Sequence, residues 1–251
     1  MKGKQGLIVG IANEYSIAWG CARTLHAAGA EIAMTYQNEK AKPHVEPLAR
    51  EVSAPIFMPL DVTDEFQAEA LFAEISSRWG KLDFLLHSIA FAPKADLQGR
   101  VTDSSAAGFA TAMDISCHSL IRLTKAAEPL MKDGGAVLTM SYYGSEKVIE
   151  NYGIMGPVKA ALEASVRYLA AEQGACGIRV NALSPGPVKT RAASGLAHFD
   201  LLMEKAAGKA PTHQLVSIGQ VGEAAAFLLS DKALHITGQV IYVDNGFNIM
   251  G

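Results

Sequence analysis

Cysteine is scarce in this chain: Cys21, Cys117 and Cys176 are odd in number and far apart in a sequence of 251 residues. That speaks against a disulfide framework or a cysteine zinc site and suits small core residues of a reducing compartment. The seven histidines are scattered, none beside carboxylates at ligand spacing, so no metal is expected. Hydrophobic residues make up 49% of the chain, yet no apolar run approaches the roughly 18 residues of a membrane span. Lys2 and Lys4 ahead of Leu7-Ile8-Val9 imitate the start of a signal peptide. The run ends by Asn13-Glu14, so the reading is a mature cytoplasmic protein that enters no membrane. Charge of one sign is lacking too: 22 Lys and Arg stand against 25 Asp and Glu, mixed along the sequence. Without a basic stripe, nucleic acid is not an expected partner. Nor does a Pro/Ser-rich linker divide the chain, which predicts a single domain over residues 1–251.

What is present is an alternation. Short apolar runs at 7–9, 31–36, 55–60, 82–87, 136–140, 178–183 and 239–243 are separated by stretches of helical period at 16–28, 65–79, 105–131, 156–174 and 218–229. The runs are nearly continuous in Val, Ile, Leu and Met, as strands covered on both faces must be. Strand–helix alternation with right-handed crossovers predicts an α/β fold, a doubly wound parallel sheet of seven strands, Rossmann-like. Two segments break the rhythm, 90–104 after the fourth strand and 189–213 after the sixth. Both leave carboxyl ends of strands, where ligands bind in open sheets. Long loops in compact domains tend to be functional, so 189–213 is expected to be a helical, substrate-covering insertion rather than an idle surface loop.

The first strand runs into Gly10-Ile11-Ala12-Asn13-Glu14-Tyr15-Ser16-Ile17. A glycine at the strand end permits a tight turn. Ser16 suits an N-cap whose hydroxyl can also face a phosphate, and the helix start offers free N–H groups to a pyrophosphate. The stretch is not the usual G-x-G-x-x-G, and a bare strand–turn–helix explains it as well. After the second strand stands Gln37, where an acidic residue would favour NADH and an arginine NADPH. With no arginine beside it, NADH is favoured over NADPH. Asp61-Val62, after the third strand, is placed for an adenine edge. Alternatively, Asp61 caps the next helix with Thr63 and Asp64.

The richest stretch runs from Ser141-Tyr142-Tyr143-Gly144 to Asn151-Tyr152-Gly153-Ile154-Met155-Gly156-Pro157-Val158-Lys159. Tyr152 and Lys159 form Tyr-x6-Lys. Two helical turns cover about seven residues, so the pair is expected to share a face at the start of the helix predicted over 156–174. Taken alone, a tyrosine and a lysine at this spacing also fit an ordinary solvated helix. A short-chain dehydrogenase of the common kind carries Tyr-x3-Lys, but four residues before Lys159 stands Met155, which has no proton to donate.

With Tyr-x6-Lys in place, the chain resembles the bacterial enoyl-acyl-carrier-protein reductases, a divergent branch of the short-chain dehydrogenase/reductase family. The likeness extends over Gly10-Ile11-Ala12 with Ser16-Ile17-Ala18, Thr35-Tyr36-Gln37-Asn38, and His87-Ser88-Ile89-Ala90-Phe91-Ala92. It continues through the 141–159 stretch, Arg179-Val180-Asn181-Ala182, Gly186-Pro187 with Thr190, and Val243-Asp244 with Gly246-Phe247. The resemblance implies NADH-dependent reduction of an enoyl thioester in fatty acid elongation. It makes Tyr142, Tyr152 and Lys159 the catalytic residues: Tyr152 the donor to the thioester oxygen, Lys159 the holder of the nicotinamide ribose, and Tyr142 also a wall of the acyl site. It assigns the cofactor to Gly10, Ser16, Ile17, Gln37, Asp61, Val62, Ser88, Ala90, Lys159, Val188 and Thr190. The acyl slot falls to Ala92, Met155, Ala192, Ala193, Phe199 and Met203, each of which also reads as plain core packing. A homotetramer is implied as well, with contacts through helices and the last strand.

One stretch departs from the pattern. Relatives place Lys and Arg after Ser194-Gly195 to meet an acidic carrier protein, whereas Leu196–Lys205 offers only Lys205, against Asp200 and Glu204. Docking would then use Lys189, Arg191, Lys205 and Lys209, and a coenzyme A thioester stays open as substrate. Two alternatives share the cofactor: a dehydrogenase acting on a carbonyl, and a non-catalytic NADH sensor.

Overall fold

The computed structural model describes residues 1–190 and 199–250. In chain order the larger elements are β1 (Gln5–Val9), α1 (Ile17–Ala27), β2 (Glu31–Tyr36), α2 (Lys42–Glu51), β3 (Ile56–Pro59), α3 (Glu65–Trp79), β4 (Phe84–His87) and α4 (Lys94–Leu97). There follow α5 (Ala106–Met113), α6 (Ser119–Ala127), β5 (Gly135–Met140), α7 (Met155–Gln173), β6 (Ile178–Pro185), α8 (Phe199–Lys209), α9 (Ile218–Leu229) and β7 (Val240–Val243). The strands form one sheet in the order β3-β2-β1-β4-β5-β6-β7, every pairing parallel, as the alternation predicts.

Two apolar layers cover the sheet because successive side chains of a strand point to opposite faces. Leu7 and Val9 of β1 join Leu85 and Val137 under α3, α6 and α7. Ile8, between them, joins Ile32, Phe84 and Leu86 on the other face, under α1, α2 and α9. The close approach of α1 to α9 depends on glycine, since a Cβ on Gly20 would lie 2.3 Å from the Ile218 carbonyl oxygen.

Three elements differ from expectation. The helix expected over 105–131 is interrupted by a π-helical turn, Asp114–His118, and ends in a 3₁₀ turn, Glu128–Leu130, that carries Pro129. Serines hold the wide turn open. The Ser116 hydroxyl accepts from Phe91 N (2.8 Å) and donates to Phe91 O (2.9 Å), while Ser119 donates to the Ile115 carbonyl (2.6 Å). Helix α2 lies in a stretch where no helix was expected, and it carries two prolines, Pro43 and Pro47. Pro43 sits in the first turn, where no N–H is needed, and only Pro47 lies inside. Finally, α7 starts at Met155, so Tyr152 precedes the helix instead of riding on it. A turn with Asn151 at φ 62° and Gly153 at φ 54° replaces the two helical turns.

Candidate active site

The strand order reverses between β1 and β4, which opens a crevice at their carboxyl ends. There the turn after β1 meets the end of β4 so tightly that a Cβ on Gly10 (φ +100°) would lie 2.0 Å from Ser88 O. Only glycine fits. A cleft of about 210 Å³ continues from this point over β5 and β6.

Thirteen residues expected at the site line that cleft: Gly10, Ser16, Ile17, Ser88, Ala90, Ala92, Tyr142, Tyr152, Met155, Lys159, Val188, Thr190 and Phe199. They are spread along the chain from Gly10 to Phe199, and the sheet brings them together. Gln37, Asp61 and Val62 stand outside the lining, beyond the carboxyl ends of β2 and β3. Met203, on α8, is half-buried and also outside it, and Ala192 and Ala193 fall outside the described residues. Sequence reading missed Met140, Ser141 and Pro185 as lining residues. Their signal was available, since each sits at the end of a strand whose neighbours were singled out.

At the turn after β1, Ser16 occupies the N-cap position of α1 but makes no capping bond. Its hydroxyl turns back and accepts from Ala12 N (3.0 Å) and Asn13 N (3.1 Å). The first amides of α1 thus remain without a side-chain cap at the cleft, where the helix dipole favours an anion. Asp61 accepts from the amide (2.9 Å) and hydroxyl (2.7 Å) of Thr63, and Asp64 is the N-cap of α3, accepting from Phe66 N and Gln67 N. The Val62 carbonyl receives Arg122 (2.8 Å), whose guanidinium also meets Asp114.

The side of the cleft that holds Tyr152 and Lys159 is dry. Tyr152 is 8% exposed and Lys159 4%. The Tyr152 ring lies edge-on to Tyr142, with centroids 4.9 Å apart, and passes so close to Gly144 that a Cβ there would come within 2.4 Å of the ring. Burial raises both phenols above the ordinary tyrosine value, helped by Tyr142 and Glu163 at Tyr152 and by Asp244 at Tyr142. Both are therefore neutral proton donors at physiological pH. The Tyr142 hydroxyl is buried with no hydrogen-bond partner, so it is available to a ligand. Lys159 donates to the Met140 carbonyl (2.6 Å). Burial lowers its pKa to about 8, against the opposing pull of Cys117 and Glu163.

Beneath the lysine, His87 is fully buried between Thr139 (2.9 Å from Nδ1) and Ser119 (2.8 Å from Nε2). Ser119 spends its only proton on Ile115, so it accepts from Nε2–H, and Nδ1 accepts from Thr139. Burial, with Lys159 nearby, lowers His87 to about 3, which keeps it a neutral spacer. Among the described residues, no group of three or more His, Cys, Asp or Glu is arranged to hold a metal, and no helix is long and apolar enough to cross a membrane.

Comparison with known proteins points one way. The family model described as enoyl-(acyl carrier protein) reductase matches residues 10–248. The chain is 49% identical to enoyl-acyl-carrier-protein reductase (NADH) 1 of Rhizobium meliloti strain 1021, across 100% of this chain and 92% of that one. It superposes on the crystal structure of the NADH enoyl-acyl-carrier-protein reductase of Aquifex aeolicus VF5 with a TM-score of 0.96 and 47% identity, covering 100% and 98% of the two chains. The corresponding Anaplasma phagocytophilum enzyme in complex with NAD gives a TM-score of 0.96 at 45% identity, covering 100% and 96%.

Proposed function

The chain belongs to the enoyl-acyl-carrier-protein reductase family, and from that premise we propose that it reduces the 2,3 double bond of a trans-2-enoyl thioester on acyl-carrier protein, with NADH, in fatty acid elongation. The observation that carries the reading is the placement of Tyr152 and Lys159 in one cleft, with Met155 where a carbonyl-reducing relative needs a tyrosine. Reduction needs hydride at the β-carbon, a stabiliser for the charge on the thioester oxygen, and a proton for the α-carbon. NADH, when bound, supplies the hydride.

The site suits such a cofactor on three counts: uncapped amides of α1, a buried lysine, and the partnerless Tyr142 hydroxyl. Tyr152 donates its hydrogen bond to the thioester oxygen and steadies the enolate charge in a dry setting where each such bond counts most. Lys159, fixed by Met140, holds the nicotinamide ribose hydroxyls and adds positive charge beside the phenol. Gly10, Ser16, Ile17, Ser88, Ala90, Val188 and Thr190 hold the rest of the dinucleotide. Gln37, Asp61 and Val62 serve its adenosine end, beyond the cleft.

Ala92, Met155 and Phe199 give the acyl chain an apolar wall, with Met203 and Ala192 completing it within the 189–213 insertion. Two of the four cations suited to the carrier are already paired inside the chain, Lys189 with Asp200 (3.2 Å) and Lys205 with Glu150 (2.9 Å). That leaves docking to Lys209 until those pairs exchange partners, while Arg191 lies outside the described residues. The exposed Tyr168 of α7 (73%) and Phe227 of α9 (46%) suit a homotetramer in the cytoplasm, built through helices and the last strand.

Mixing the protein with NADH and a crotonyl thioester, on coenzyme A and on carrier protein, while following nicotinamide absorbance tests the proposal. NADH oxidation with enoyl thioesters, faster on the carrier, is the expected result. Oxidation only with a ketoacyl or aldehyde substrate would replace it with carbonyl reduction, and binding without oxidation of NADH would leave a sensor.

A further inference from the structure

A buried carboxylate behind the tyrosines has no part in the chemistry so far. Glu163 lies one helical turn beyond Lys159 on α7 and is 5% exposed. A charge held this deep costs free energy unless hydrogen bonds compensate it. Here one oxygen, Oε1, accepts from the hydroxyls of both Ser141 and Ser145 (2.7 Å for the latter). Those serines bracket the turn after β5, which carries Tyr142 and presents Gly144 to the Tyr152 ring. Resting on the reductase reading above, we propose that Glu163 is a positioning residue for that reaction. Its carboxylate clamps the 141–145 turn that sets both tyrosines, and its charge faces Lys159 from the next turn of the helix.

The spacing supports both parts. Residues four apart on a helix lie on one face, so Glu163 can act on Lys159 while reaching back to the strand end. Other groups face this pair from every side: His87 from β4, Cys117 from the π-helical turn, Tyr152 ahead of α7, and Tyr242 of β7 with Glu146. Among these, Glu163 is the carboxylate that acts on both Lys159 and Tyr152. It favours the ammonium form of the first and the neutral phenol of the second. Both are the forms the reaction uses.

Three full-length proteins test this: wild type, Glu163→Gln and Ser145→Ala. In each, kcat/KM for NADH, the Kd for NADH read by nicotinamide fluorescence, and the melting temperature are followed from pH 6 to 10. In the wild type, kcat/KM and NADH affinity should fall as pH rises through about 8, where Lys159 loses its proton. Glu163→Gln keeps an oxygen for the serines and removes the charge. It should move both falls to lower pH by about one unit, because the ammonium loses a nearby opposite charge. Ser145→Ala keeps the charge and loosens the clamp, so kcat should drop several-fold with the pH dependence and NADH affinity retained.

Falls that coincide in Glu163→Gln and wild type overturn the proposal. So does a loss equal at every pH and in step with lost melting temperature, the mark of a merely structural residue. If Glu163→Gln does not fold, Ser145→Ala decides, and unchanged kcat overturns the clamp. The binding arm needs no enoyl substrate, so a protein that reduces no thioester would sink the proposed reaction and still report on Glu163.

Discussion

Two turns border the cleft, after β1 and after β5, and they are held in opposite ways. The turn after β1 is built almost entirely from itself. Ser16 Oγ accepts from Ala12 N and Asn13 N, Ser16 N donates to Asn13 O (3.1 Å), and Asn13 Oδ1 accepts from Tyr15 N (3.1 Å). The turn after β5 is held from far away. Ser141 N donates to Leu183 O on β6 (2.6 Å), both of its serines reach Glu163, and the Tyr143 hydroxyl donates to Asn248 O, 105 residues on (2.9 Å). A phosphate-binding turn needs only amides and a helix end, which a short segment can supply. Two phenols and an ammonium must be set relative to one another within a fraction of an ångström, and that takes the packed body of the protein.

Substitutions on the two sides should therefore split by kinetic constant. The largest effect is expected at the buried tyrosines. Tyr152→Phe should lower kcat by ~10²–10³-fold, the cost of one preorganised donor to a developing oxyanion, with KM for NADH nearly unchanged. Full activity in that variant would show that Tyr142, with its own unpartnered hydroxyl, is the donor.

Next comes Gly10, the point where the self-built turn meets β4. Gly10→Ala puts a Cβ against Ser88 O and forces a positive φ on alanine. It should cost about 2 kcal/mol or more, a melting shift of ~4–8 °C, together with weaker NADH binding. A calorimetric melt within a degree of wild type would mean that the crevice between β1 and β4 yields more readily than its packing suggests.

The smallest effect is at Gln37, which is exposed and outside the cleft. Gln37→Arg should raise the NADPH-to-NADH ratio of kcat/KM by about tenfold, one charge-assisted phosphate contact, and leave kcat with NADH alone. An unchanged ratio would remove Gln37 from the 2′ position.

The same contrast explains which parts of the molecule were legible beforehand. Strands such as 31–36 and helices such as 65–79 and 218–229 were readable to the residue, because apolar period and caps at Asp64 and Ser217 are local signals. Helix α2 escaped because proline is a strong breaker in general and a weak one in a first turn. The interruption of 105–131 escaped because its cause is a contact with Phe91, not a feature of its own sequence. Tyr152 and Lys159 were expected to share a helical face; both line one cleft, but Tyr152 stands in a tight turn ahead of the helix. Glu163 carried no signal, since a glutamate on an amphipathic helix reads as solvated until the strand that buries it is in place.

By itself, the sequence determined the alternation of strand and helix, the parallel sheet, the glycine turn after β1 and the types of residue that gather at strand ends. These follow from periodicity and steric limits that act within about a dozen residues. Only the tertiary structure decided which way Ser16 points, that His87 is neutral and that Tyr142 lacks a partner. It alone also put a buried carboxylate behind the 141–145 turn. Desolvation and hydrogen-bond satisfaction are properties of surroundings, and those surroundings come from segments that meet only when the sheet closes around them.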